Sequence, residues 1–147
     1  MNNIFIDNKD DRPIGVFDSG LGGLTVLNDL AKAFPNQRYI YLGDLANLPY
    51  GSKSKSNIIK CSISCANFLT EKNVKGIVIA CNTSSSYAYK KLKEVLTIPV
   101  YDVINPCAES VSKSNFKKIA IIGTEKTIES NLYYDLIRSL NEKIKIY

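Results

Sequence analysis

Four short, unbroken apolar runs each end on small polar residues, and this alternation constrains the fold of the 147-residue chain more than anything else in it. Ile14-Gly15-Val16-Phe17 runs into Asp18-Ser19, and Tyr39-Ile40-Tyr41-Leu42 into Gly43-Asp44. Gly76-Ile77-Val78-Ile79-Ala80 runs into Cys81-Asn82-Thr83, and Ile119-Ala120-Ile121-Ile122 into Gly123-Thr124. Continuous apolar runs of this length suit strands buried on both faces. Pro99 to Ile104 reads as one further extended stretch.

Between the runs the apolar spacing changes to that of helices. Leu24, Leu27, Leu30, Ala31 and Phe34 share a face, closed by Pro35-Asn36. A helix from Ser56, with that serine as N-cap, carries Ile58, Ile59, Cys61, Ser62, Cys65, Ala66 and Leu69 in one stripe. Further helices are expected over Ser84–Leu96 and from a capping Thr127 to about Leu140. Strand–helix alternation predicts an α/β fold, a parallel sheet flanked by helices. In such sheets ligands bind outside the C-terminal strand ends, where the small polar residues gather. The expected organisation is a polar N-terminal tail (1–12), a first α/β domain (13–104) and an incomplete second one (105–147). Ile144 to Tyr147 reads as the opening of another strand.

Composition narrows the function classes. At 45% hydrophobic and 22% charged the chain is globular in type. No apolar run approaches the ~18 residues of a membrane span, and the first dozen residues lack the apolar core of a signal peptide. A cytoplasmic protein without membrane association is expected. The formal charge is +5, but Lys53, Lys55, Lys72, Lys75, Lys117 and Lys118 are scattered. They read as a solvated surface, and no nucleic-acid partner is expected.

The chain has four cysteines and no histidine. Cys61 and Cys65, four apart, share one helix face and read as core thiols, or as the start of a metal site that no second close pair completes. Cys81 differs because it stands at a strand end, before residues able to open a helix. Asn82 and Thr83 can cap that helix, or its backbone donors can hold a carboxylate and favour a thiolate. Ser84, Ser85 and Ser86 lack a visible base and are poor nucleophiles. Asp18-Ser19-Gly20-x-Gly22-Gly23 fits neither the dinucleotide glycine spacing nor a P-loop. A carboxylate beside a hydroxyl suits an ammonium group or a thiol; the plain alternative is a turn or cap. Leu48-Pro49-Tyr50-Gly51 is a turn whose backbone and Tyr50 can also enclose a small ligand.

Taken together, Ile14 to Gly23, Tyr41-Leu42-Gly43-Asp44 with Pro49-Tyr50-Gly51, and Ala80-Cys81-Asn82-Thr83 resemble the signatures of the glutamate racemases, in order and spacing. Ile121-Ile122-Gly123-Thr124-Glu125-x-Thr127 resembles that family's next strand and turn. The wider group includes aspartate racemases; Asp18-Ser19 and Pro49-Tyr50-Gly51 favour the glutamate branch. The resemblance implies the first domain of a two-domain racemase-type fold plus the start of the second. It also implies racemisation of L-glutamate to D-glutamate for peptidoglycan synthesis, with no cofactor and no metal. Two thiols would flank the α-carbon, one removing a proton and the other delivering one.

By the same resemblance Cys81 would be one catalytic thiol and Asp18 would help set its protonation. Asp18, Ser19, Tyr50, Gly51, Asn82, Thr83, Thr124 and Thr127 would bind the substrate. The chain departs from the pattern in three places. It has no Gly-Cys-Thr-His stretch for the second thiol, it has Asn105 and Cys107 where relatives carry glutamate and glycine, and it has Leu45 where threonine is common. The reading is therefore of about half an enzyme. An inactive truncated homologue acting as a binding or regulatory module stands as the alternative, with an aspartate racemase relative beside it. A homodimer in which two chains share a site is a further possibility.

Overall fold

A computed structural model gives the fold and describes residues 10–147. Of the expected tail, 1–9 lie outside the described residues. The remainder is tied down: Asp10 pairs with Arg12 at 2.7 Å, and Lys75 Nζ donates to the Asp10 carbonyl at 2.7 Å.

Four strands form one parallel sheet: β1 (Ile14–Asp18), β2 (Tyr39–Gly43), β3 (Gly76–Ile79) and β4 (Val100–Asp102), in the order β2-β1-β3-β4. Ile14 stands opposite Tyr39 on one side and Gly76 on the other, and Ile77 opposite Val100. The side chains alternate between faces, as pleating requires. Phe17, Ile77 and Ile79 point to one face, where they meet Cys65, Ala66 and Leu69 of α2 (Lys55–Glu71) and Ala88 and Leu92 of α3 (Asn82–Val95). Ile14, Val16, Val78 and Ala80 point to the other, against Val26, Leu27 and Leu30 of α1 (Leu24–Ala33). The expected α1 stripe is thus rotated: Val26 takes the place of Leu24, which is 43% exposed.

Several expected boundaries shift for local reasons. Ser54, not Ser56, caps α2, accepting from the Asn57 amide at 3.3 Å. The fourth strand stops at Asp102, because the Asp102 carboxylate accepts from the amides of Ile104 (2.7 Å) and Asn105 (2.8 Å). That pairing starts α4 (Ile104–Ser112).

A second, two-stranded parallel sheet joins β5 (Lys118–Ile119) to β6 (Lys145–Ile146). β5 is shorter than its apolar run because β6 offers only a brief partner; Ile122 beyond it is 95% exposed. The expected last helix is split into α5 (Glu125–Glu129) and α6 (Leu132–Leu140). Between them Asn131 takes a left-handed conformation, φ 55°, which interrupts the helical hydrogen bonds. Thr124, not Thr127, caps α5. No helix among the described residues is long and apolar enough to cross a membrane.

Candidate active site

The chain runs from β1 outward to β2 and later returns past β1 to β3, so the connections leave in opposite directions from between β1 and β3. That is a switch point, and the crevice it opens lies at the C-terminal strand ends. Asp18 ends β1, and Cys81 stands two residues beyond the end of β3.

Cys81 is the N-cap of α3, so the helix starts two residues earlier than the expected Ser84. Its backbone is extended (φ −78°, ψ 122°), and its Sγ accepts from the Ser84 amide at 3.4 Å. Asn82 and Thr83 lie inside the helix. The thiol donates to Ser19 Oγ at 3.6 Å, linking the two strand ends. Cys81 is 5% exposed, packed against Tyr50 and Ile58. A sulfur at a helix N-terminus faces amide donors and the positive end of the helix dipole.

Asp18 is held as firmly. Its Oδ2 accepts from the Gly20 amide at 2.9 Å, and its carbonyl accepts from the Asp44 amide at 2.9 Å. The turn beyond it depends on Gly23. A Cβ there would lie 2.7 Å from Asp18 Cβ and 2.8 Å from Ala80 Cβ, forcing apart the strand ends that carry the site. Tyr41 donates to the Gly20 carbonyl at 2.7 Å. Burial, with Asp18 and Cys81 nearby, pushes its phenol up to about 12, so it remains a donor.

Tyr50 sits in the loop after β2, where Leu48-Pro49 is cis, and its side chain is turned inward. Its hydroxyl donates to Asp44 Oδ2 at 2.6 Å and lies 3.8 Å from Cys65 Sγ. Burial raises its pKa far above the usual phenol range, with the Asp44 hydrogen bond adding to it. What this loop offers a ligand is backbone: Tyr50 and Gly51 open a short 3₁₀ turn (Tyr50–Ser52) without a side-chain cap, and such opening amides have no partner inside the turn. Burial pushes the Cys65 thiol up to about 11, which makes it a neutral packing group.

The threonines meet one another. Thr83 Oγ1 is 2.9 Å from Thr124 Oγ1 and 3.3 Å from Thr127 Oγ1, and the last two are 3.0 Å apart. Gly51 lies directly against this triangle, since a Cβ on it would stand 2.7 Å from Thr124 Cβ. The structure therefore groups Asp18, Ser19 and Cys81 at the strand ends, with Tyr50-Gly51, Asn82, Thr83, Thr124 and Thr127 adjoining. Thr127 is 4% exposed, its hydroxyl engaged within the triangle.

The other cysteines play different parts. Cys61 is half-buried on α2 and Cys107 is exposed on α4. Among the described residues no three or more Cys, Asp or Glu side chains converge as metal ligands would. Ser84 and Ser85 are buried. Ser62 donates to Ser84 at 3.0 Å, and Ser85 donates to the Ile79 carbonyl at 3.2 Å.

Three neighbours of the site were not anticipated: Tyr41, Asp44 as the acceptor for Tyr50, and Tyr133. Tyr41 and Asp44 lie in a motif already singled out, so their place at a strand end was the available signal. Tyr133 reaches Asn82 across 51 positions of sequence, and no local pattern announces it.

Comparison with known proteins shows the family and the fold. Residues 14–145 match the model of the Asp/Glu/hydantoin racemase family. The chain is 53% identical over 137 residues to a glutamate racemase of Sulfurihydrogenibium, covering 92% of this chain and 53% of that protein. The crystal structure of Francisella tularensis glutamate racemase in complex with D-glutamate superposes with a TM-score of 0.85 at 44% identity, covering 93% of this chain and 52% of that one. For the Aquifex pyrophilus glutamate racemase the TM-score is 0.87 at 43% identity, covering 92% and 53%. The chain spans about half the length of the relatives it matches.

Proposed function

This chain belongs to the Asp/Glu/hydantoin racemase family, and from that premise we propose that it supplies one acid–base face of a cofactor-independent glutamate racemase. The observation that carries this reading is Cys81 itself: a thiol capping α3 at the switch point, 3.6 Å from the hydroxyl of Ser19, the residue that follows Asp18. Racemisation needs a proton removed from one face of the α-carbon and another delivered to the opposite face. The Cys81 thiolate takes the α-proton, breaking the C–H bond and leaving its electron pair on the substrate. A second thiol across the substrate returns a proton to that carbon. In the reverse direction Cys81 is the donor.

The neighbours have matching roles in this proposal. Asp18 tunes the protonation of Cys81 and, with Ser19, meets the substrate ammonium. The amides of Tyr50 and Gly51, with Asn82, Thr83 and Thr124, receive carboxylates. Thr127 holds the other two threonines in place. Fixed donors of this kind stabilise the negative charge that develops when so weak an acid loses its proton. Cys61 and Cys65 lie on α2 and Cys107 on α4, none of them at these strand ends, and in this reading the opposing thiol is supplied from outside these residues. The product, D-glutamate, would serve peptidoglycan synthesis in the cytoplasm.

Incubating the purified chain with L-glutamate in deuterated water, and following α-deuteration together with optical rotation, tests the reading. Slow α-exchange lost in Cys81→Ala, with little racemisation, is expected. Glutamate binding without any exchange would instead favour a binding module. Rapid racemisation abolished by Cys81→Ala would show that one chain, or a pair of chains, supplies both thiols.

A further inference from the structure

The α3 N-terminus meets α6 at a single polar contact. Tyr133 Oη donates to Asn82 Oδ1 at 2.7 Å, a normal length for a hydroxyl donor. Asn82 is exposed, and its Nδ2 makes no hydrogen bond among the described residues. A cavity of about 370 Å³ opens there, lined by Asn82, Thr124, Thr127, Tyr133 and Cys107 among others.

A side-chain amide has an accepting end and a donating end. With Oδ1 occupied by the tyrosine, the two Nδ2 hydrogens are left for whatever enters the site. Without the tyrosine, the amide can turn and present either end. Resting on the glutamate reading above, we propose that Tyr133 is a positioning residue: its hydroxyl fixes the Asn82 amide so that Nδ2 faces an acceptor oxygen of the bound amino acid, and a substrate carboxylate is selected over an ammonium at that position. Burial, with Cys107 and Asp102 nearby, raises the phenol above its ordinary range, so the donor persists at any pH the chain works in. The contact also makes α6, from the far end of the chain, part of the site's specificity.

Tyr133→Phe keeps the ring and removes the donor. Titration of D-glutamate into the chain should give affinity about tenfold weaker in Tyr133→Phe, the scale of one hydrogen bond whose partner is left without its mate. Adding Tyr133→Phe to Asn82→Ala should cost nothing more. Equal losses in the two backgrounds, or no loss in either, overturn the proposal. A second measurement needs no ligand. The Asn82 side-chain amide pair, assigned in a ¹H–¹⁵N spectrum by its disappearance in Asn82→Ala, should shift towards exposed-asparagine positions in Tyr133→Phe. An unmoved pair also overturns the proposal. A shifted pair in a chain that binds no glutamate upholds the positioning and places the failure with the glutamate reading.

Discussion

The four-stranded and two-stranded sheets share parallel pairing and differ in what stands behind them. The first has α2 and α3 packed on one face over a large buried cluster that includes Phe17, Leu69, Ile77, Ile79 and Leu92, with the partly buried side chains of α1 on the other. The second rests on Ala108, Ile137 and Ile144, with partly exposed neighbours around them. Asp18 and Cys81 project from the well-supported sheet, whereas Thr124, Thr127 and Tyr133 reach the site from the lightly supported one. Cys81 is thus held by a closely packed frame, and the groups proposed to receive substrate come partly from the region with the smaller buried cluster.

The comparison breaks most visibly in the cores. Ile79→Ala should lower unfolding free energy by about 2–5 kcal/mol in urea titration and loosen the whole four-stranded sheet. Ile144→Ala should cost less, about 2 kcal/mol. Hydrogen exchange should rise across α4, α6 and β6 while β1 and β3 amides stay protected; equal deprotection everywhere would mean that the two sheets unfold as one unit.

Thr124→Val probes the junction. It removes one hydroxyl of the triangle, leaving Thr83 and Thr127 only each other, and it removes the side-chain cap of α5, for a loss of about 1–2 kcal/mol and faster exchange in α5. The last probe is alkaline. The folded-state pKa of Cys65 is raised from 9.0 to about 11, so between those values the folded state binds more protons than the unfolded one. Its contribution is complete below pH 9 and declines as pH rises towards 11. The urea midpoint should fall over that interval, and Cys65→Ala should flatten the fall.

The four-stranded sheet was legible because a strand buried on both faces must be continuously apolar, and Ile14–Phe17 and Gly76–Ala80 are. The strand-end site was legible for the complementary reason, that polar residues directly after such runs have few places to be. What the residues hid were choices between near-equal local options. Ser54 and Ser56 are both competent caps, and the helix starts from the first. Asp102 could have stayed in a strand, but two amide partners turn the chain instead. The side chain of Tyr50 offers its hydroxyl to a ligand or to the core, and Asp44 decides for the core. Tyr133 depends on how α6 packs over a stretch far away in sequence, which no window of residues contains.

At position 81 the helix and the chemistry favour different atoms. Serine is among the best N-caps; sulfur is a weaker acceptor and sits at a longer 3.4 Å. Exchanging sulfur for oxygen should therefore give a firmer helix and a silent site. Natural variation at this position would then record which of the two selection has protected, and any alkylating reagent that reaches the sulfur would uncap α3 as it blocks the proposed proton transfer.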